Sequence, residues 1–159
     1  IVFRKPGDEQ VDYIKRLIGL PGDTVQLVDG RLYVNDKLIN RKKTNIGQIT
    51  KSNGSKINLI EYEENILNTK SYKIIESSDA DLFDNTTKFT VPKDKFFFMG
   101  DNRDNSKDSR ASEVGFVPKI NLIGKAQIIF FSHNGSARFY EFWKWHNLIR
   151  FSRIGKKIE

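Results

Sequence analysis

No cysteine occurs among the 159 residues. That excludes disulfides, thiolate catalysis and cysteine-ligated zinc, and leaves the redox compartment open. Histidine is nearly as scarce, with His133 and His146 the only two. No Gly-x-Ser-x-Gly elbow is present and neither histidine lies in a segment of catalytic character, so a Ser-His-Asp triad and a histidine-based metal site both lack their parts. Long apolar runs are missing as well. Stretches such as Ile128-Ile129-Phe130-Phe131 fall far short of the roughly 20 residues that cross a bilayer. Ile1-Val2-Phe3 passes at once into Arg4-Lys5-Pro6-Gly7, which is not the pattern of a secretory leader. Any membrane anchor is therefore expected outside this sequence. There is neither an RNP-type aromatic motif nor zinc-finger spacing, so nucleic acid is not an expected partner.

What is abundant points to β structure. The chain holds twelve Phe, five Tyr and two Trp, and Ile, Val and Phe recur in short runs that suit strands better than helices. At 38% hydrophobic residues it can bury a core of its own, and its length fits one domain with an inserted lobe. The formal charge is +7, and basic residues gather at Arg41-Lys42-Lys43 and between Arg150 and Lys157. Such clusters fit a solvated basic surface or an anionic membrane surface.

Along the chain, Val11 to Gly19 reads as one strand, closed by the Pro-Gly turn Leu20-Pro21-Gly22-Asp23. Asp29-Gly30, between Val25 and Leu27 on one side and Leu32 and Val34 on the other, predicts a tight hairpin. A second turn is expected at Asn35-Asp36-Lys37, with Leu38-Ile39 continuing an antiparallel sheet. From about 41 to 88 the composition shifts to Asn, Ser, Lys, Thr and Glu, with weak strand candidates at Ile57 to Tyr62 and Ser71 to Ile75. This predicts an inserted, less regular β lobe in which no residue stands out for catalysis. The core pattern resumes at Phe89 to Val91 and at Phe96-Phe97-Phe98-Met99, and Leu122 to Phe131 predicts a further strand. Between Ala137 and Ile149, Phe139, Phe142, Trp143 and Trp145 fit helical spacing only in part. A short helix and irregular packing both remain open there, as do burial in a core and seating at a lipid interface.

Two segments concentrate the chemistry. In Asp12-Tyr13-Ile14-Lys15-Arg16-Leu17-Ile18-Gly19-Leu20-Pro21-Gly22-Asp23, strand periodicity puts Lys15 on the face of Tyr13 and Leu17. A lysine set against apolar neighbours has a lowered pKa and can accept a proton, whereas an ordinary one, at about 10.4, cannot at neutral pH. The second segment, Gly100-Asp101-Asn102-Arg103-Asp104-Asn105-Ser106-Lys107-Asp108-Ser109-Arg110, follows a hydrophobic strand, the arrangement by which a rigid sheet presents reactive groups. On the residues alone, Lys15 reads first as a solvated strand lysine, and the second segment as a self-bonded polar loop with Asx turns.

Together the two segments, with Gly115-Phe116-Val117-Pro118 after the second, resemble the C-terminal signature boxes of the bacterial type I signal peptidases. These are membrane-anchored serine proteases with a lysine general base. The resemblance implies a mostly β, antiparallel catalytic core with the inserted lobe, residues 1–159 forming an extracytoplasmic catalytic region at the bacterial plasma membrane. It implies Lys15 as base, Ser106 as the hydroxyl that orients it, and Asp108 with Arg110 and Asp101 with Arg16 as supporting ion pairs. Tyr13 and Ile14 would border the extended substrate, although Ile14 as ordinary core remains open. The family's nucleophilic serine lies in an earlier Ser-Met box, upstream of a segment that Ile1-Val2-Phe3-Arg4-Lys5-Pro6 resembles. It is expected to precede this chain, which alone would be inactive. No metal or cofactor is implied, and the expected partners are preprotein signal peptides and an anionic membrane surface. Two alternatives carry different functions: a noncatalytic signal-peptide-binding β module, and a Ser/Lys repressor-type self-cleaving protease.

Overall fold

Antiparallel strands account for nearly all the regular structure that the computed structural model describes over residues 1–50, 54–66, 71–129 and 151–158. In chain order they are β1 (Val2–Arg4), β2 (Asp12–Ile14), β3 (Arg16–Gly19), β4 (Thr24–Val28), β5 (Arg31–Val34), β6 (Lys37–Leu38), β7 (Asn40–Thr50), β8 (Lys56–Asn65), β9 (Tyr72–Glu76), β10 (Phe89–Thr90), β11 (Lys95–Met99), β12 (Val117–Pro118) and β13 (Leu122–Gly124). They form four sheets, ordered β13-β1-β2, β10-β4-β5-β6, β12-β11-β3 and β7-β8-β9. The residues divide into two units, Ile1–Gly124 and Lys125–Glu159. In the second, Ile128 bridges Lys157 and a 3₁₀ turn spans Phe151–Arg153.

The turns follow from their residues. Asp29 and Gly30 both have positive φ (48° and 68°), the geometry a two-residue hairpin needs to match strand twist, and β4 and β5 pair with Val25 opposite Val34 and Leu27 opposite Leu32. Asn35 and Asp36 repeat the device at φ 52° and 61°. At the Pro-Gly turn, Asp23 N–H bonds the Leu20 carbonyl at 3.0 Å and Gly22 takes φ 89°, as a type II turn requires.

β11 is the wall between two apolar clusters. Its alternation sends Phe97 and Met99 into one, with Val25, Leu27, Leu32, Val34, Tyr72 and Ile74, and Phe98 into the other, with Phe3, Val114 and Val117. A strand buried on both faces reads as an unbroken hydrophobic run, which explains Phe96-Phe97-Phe98-Met99. Phe98 stacks on Phe3 at 4.6 Å between ring centroids. Tyr72 and Ile74 of β9 and Ile66 belong to the first cluster, so the lobe shares its core with the β4–β5 hairpin.

Three expectations change. Val11 to Gly19 is not one strand: β2 pairs with β1 and β3 pairs with β11, with Lys15 at the switch between sheets. The insert holds the two longest strands of the described chain, eleven residues in β7 and ten in β8. They are polar because most β7 side chains from Lys42 to Gln48 are exposed, so the hydrogen-bonded ladder, with β8 paired on both sides, sustains them more than apolar burial does. The irregularity lies in a register shift between Lys43 and Asn45. The strand expected over Leu122 to Phe131 ends at Gly124, because β1 offers β13 only Val2 and Phe3 as partners, with a register shift between them. Residues 130 and 131, both histidines and the aromatic stretch from Phe139 to Trp145 lie outside the described residues.

Candidate active site

The backbone of Lys15 is held at the sheet switch by Ile1, whose carbonyl accepts the Lys15 N–H at 3.0 Å and whose nitrogen donates to the Lys15 carbonyl at 2.7 Å. The side-chain alternation survives the break. Tyr13 and Leu17 both pack against the cluster containing Phe3 and Phe98, and Lys15 Nζ lies 5.4 Å from the centre of the Tyr13 ring. Nζ donates to Ser106 Oγ at 2.7 Å. Burial strips water from the ammonium and lowers the Lys15 pKa below the ordinary lysine range; Asp108 pulls it back up, Arg110 pushes it further down, and Asp101 opposes. Burial prevails, so the neutral amine is more accessible than on a solvated lysine.

Gly100 is where the loop meets the lysine. A Cβ there would sit 2.1 Å from Ser106 Oγ and 2.5 Å from Ser106 Cβ, distances no side chain tolerates, so the missing side chain is the space the hydroxyl occupies. The Gly100 N–H donates to Asp108 Oδ2 at 2.9 Å. Asp108 and Arg110, both with fully buried side chains, form a two-point pair through Nε to Oδ1 at 2.9 Å and Nη2 to Oδ2 at 2.8 Å. Burial alone would raise the Asp108 pKa; the Arg110 hydrogen bond and charge and the backbone N–H groups of Gly100 and Arg110 outweigh it and hold it below the usual aspartate value. The loop is tied to β11 by Ser109, which accepts the Phe98 N–H at 2.9 Å. Beside Lys15, Arg16 grips Asp101 at 2.8 and 3.0 Å and stacks on the Tyr72 ring, 3.9 Å from its centre.

Lys15, Ser106, Asp108, Arg110, Asp101 and Arg16 thus meet in one place. Tyr13 faces inward, while Ile14, at 54% exposure, is not a core residue and stands on β2, the edge of its sheet among the described residues. Sequence reasoning missed the lobe's share. Ile75 N–H bonds the Asp101 carbonyl and the Ile75 carbonyl accepts Arg103 N–H, at 2.8 and 2.9 Å. Arg103, from the middle of the loop, pairs with Glu64 of β8, each side chain 1% exposed. A signal for Glu64 exists, because it falls in phase with Tyr62 and Ile66 on the inward face of its strand, where a carboxylate needs a buried partner. Among the described residues no group of histidine, cysteine or acidic side chains could hold a metal, and no helix is long and apolar enough to cross a membrane.

Comparison with known proteins places this chain in a peptidase family. A family model described as signal peptidase, peptidase S26, matches residues 1–131, and the chain belongs to that family. It is similar to signal peptidase I of Rickettsia akari, 47% identical over 138 residues covering 83% of this chain and 50% of that protein. Signal peptidase I of Rickettsia prowazekii is 46% identical over the same shares. The chain spans about half the length of these curated relatives. A crystal structure of a signal peptidase I from Enterococcus faecalis is 27% identical, covering 78% of this chain and 89% of that one, with a TM-score of 0.43.

Proposed function

We propose that this chain is the base-bearing part of a serine endopeptidase that removes signal peptides from exported preproteins after small-x-small sites, its attacking serine contributed by a segment upstream of Ile1. The carrying observation is the desolvated Lys15 amine held 2.7 Å from Ser106 Oγ. In the proposed cycle neutral Lys15 takes the serine proton as the serine oxygen attacks the scissile carbonyl. The resulting ammonium returns that proton to the leaving amine, and the acyl-enzyme is hydrolysed by water that Lys15 deprotonates. Ser106 aims the amine without placing a negative charge beside it, which would raise its pKa. Because Ile1 pairs with Lys15, a segment leading into Ile1 would arrive beside this site.

The edge of β2 supports a binding mode in which an extended peptide adds as a further strand, with Tyr13 and Ile14 bordering it. Ile14 on β2 and Ile123 on β13, 54% and 52% exposed, lie on the outer strands of one sheet. With Ile120 also exposed, they support contact with the extracytoplasmic face of the plasma membrane, whose anionic lipids suit the basic chain.

The test is made in the complete protein. Lys15→Met and Lys15→Arg should each lower kcat/KM on a preprotein by about 10²–10⁴-fold, the second because guanidinium does not give up its proton. Substantial turnover by Lys15→Arg would overturn the base assignment, whereas a complete parent protein that binds signal peptides without cleaving them would favour a noncatalytic binding module. Residues 1–159 alone should not cleave a preprotein bearing an Ala-x-Ala site. Cleavage abolished by Lys15→Met would put the nucleophile within these residues.

A further inference from the structure

We infer that Glu64, in the lobe, is the positioning residue that aligns both ion pairs flanking Lys15 and Ser106. This rests on the reading of Lys15 as the base. Glu64 Oε1 accepts Arg103 Nη1 at 3.1 Å and Oε2 accepts Nη2 at 2.5 Å, and Oε2 also accepts the Tyr72 hydroxyl at 2.6 Å. From this carboxylate two chains of contact run to the site. Through Arg103, whose backbone carbonyl accepts Arg110 Nη2 at 2.6 Å, it fixes the guanidinium that holds Asp108. Asp108 in turn holds the Gly100 N–H, and Gly100 lies against Ser106 Oγ. Through Tyr72 it fixes the ring on which Arg16 stacks while gripping Asp101. Glu64 is 39 residues from Arg103 in sequence, and this contact joins the lobe to the loop alongside the Ile75 backbone and Asp104 Oδ2, which accepts Ser77 N, Ser77 Oγ and Ser78 N.

The chemistry demands a carboxylate. Both oxygens face arginine N–H groups, so either orientation of a glutamine amide would set N–H against N–H. Glu64→Gln should therefore displace Arg103 and let the loop relax. A shift of about 1 Å in a catalytic group is enough to cost about 10²-fold in rate. A relaxed loop also admits water to Lys15 and returns its pKa toward the ordinary value, so the acidic limb of the rate profile should move to higher pH. The charged groups facing Lys15, namely Asp101, Asp108 and Arg110, remain in every variant.

The experiment uses the complete protein with its serine, reading kcat, KM, the pH profile of kcat/KM and the melting temperature of Glu64→Gln, Tyr72→Phe and the double variant Glu64→Leu/Arg103→Met. The double variant removes both buried charges, which is often neutral for stability. The expected result is a kcat about 10²-fold down in Glu64→Gln with KM little changed, a shifted acidic limb, a smaller shift in Tyr72→Phe, and a double variant that melts like the parent while keeping the shifted limb. Recovery of rate and limb in the double variant, an unshifted limb in every folded variant, or failure of all three to fold would each overturn the inference. Lys15→Met is the control that separates the two readings. If it turns over substrate, the base assignment fails; if it is inactive while the Glu64 variants keep the parental limb, the role of Glu64 alone fails.

Discussion

The loop of residues 101–110 and the lobe each bury a carboxylate against an arginine, with opposite electrostatic results. In the loop, Asp108 accepts four donors, from Gly100 N, Arg110 N, Arg110 Nε and Arg110 Nη2, and its pKa falls. In the lobe, Glu76 Oε2 receives Arg41 Nη1 at 2.5 Å, while Oε1 is buried without a partner among the described residues. Arg41 divides itself among Glu76, Asp79 and the Gly30 carbonyl, and desolvation pushes Glu76 up to about 7 despite the pull of Arg41 and Arg103. An adjacent guanidinium does not settle the direction; the number of hydrogen bonds reaching the buried oxygens does. The loop favours its charged form, and the lobe holds a carboxylate that takes up a proton near neutrality.

The sharpest way to break this contrast is Asp108→Ala, which leaves Arg110 buried and unpaired. It should cost about 3–5 kcal/mol of stability and most of the activity, measured as denaturant midpoint and turnover on one preparation. A variant unchanged in both would show that the loop is a solvated connection. Ser106→Ala comes next: if the hydroxyl only aims Lys15, as proposed, the rate of the complete protein should drop about 10²-fold with no change in melting temperature. Unfolding by this variant would make Ser106 structural. Gly100→Ala drives a methyl into that hydroxyl's place and should lose about 1–3 kcal/mol by overpacking; a melting temperature equal to the parent's would show that the loop yields freely.

The smallest effect compares the two carboxylates by pH. Asp108 is depressed in the fold, so its contribution is present above the ordinary aspartate pKa and is lost as pH falls through its folded value. Glu76 is raised from 4.5 to about 7, so the folded state binds the extra proton and stability declines as pH rises across that window. Glu76→Gln should therefore raise the melting temperature by a few degrees at pH 8 and change it little at pH 4.5. An equal shift at both values would mean that Glu76 titrates normally.

The hairpins and the β11 wall were legible because each rests on a local rule: Asp-Gly at a two-residue turn, and an unbroken apolar run in a doubly buried strand. Lys15 and the loop were legible through their motifs, and the structure brings Lys15 Nζ within 2.7 Å of Ser106 Oγ. The change of sheet at Lys15 was hidden because Tyr13 and Leu17 keep the same phase across the break, so side-chain periodicity carries no trace of a new strand partner. The strength of β7 and β8 was hidden because it lies in backbone pairing, which composition does not report. The Glu64–Arg103 pair joins residues 39 apart, and only its phase in β8 pointed inward.

The separation of 91 residues from Lys15 to Ser106 also orders events during synthesis. A ribosome adding about 5–20 residues per second produces the lysine roughly 5–20 s before the hydroxyl to which it will bond. Until the loop lands, Lys15 is bathed in water and protonated, with a pKa near 10.4. Chains stalled before residue 100 should therefore carry a Lys15 amine that reacts like any solvated lysine's. On the proposed reading the half-made polypeptide holds no base, and the proton acceptor forms only once the chain is long enough to close over this lysine.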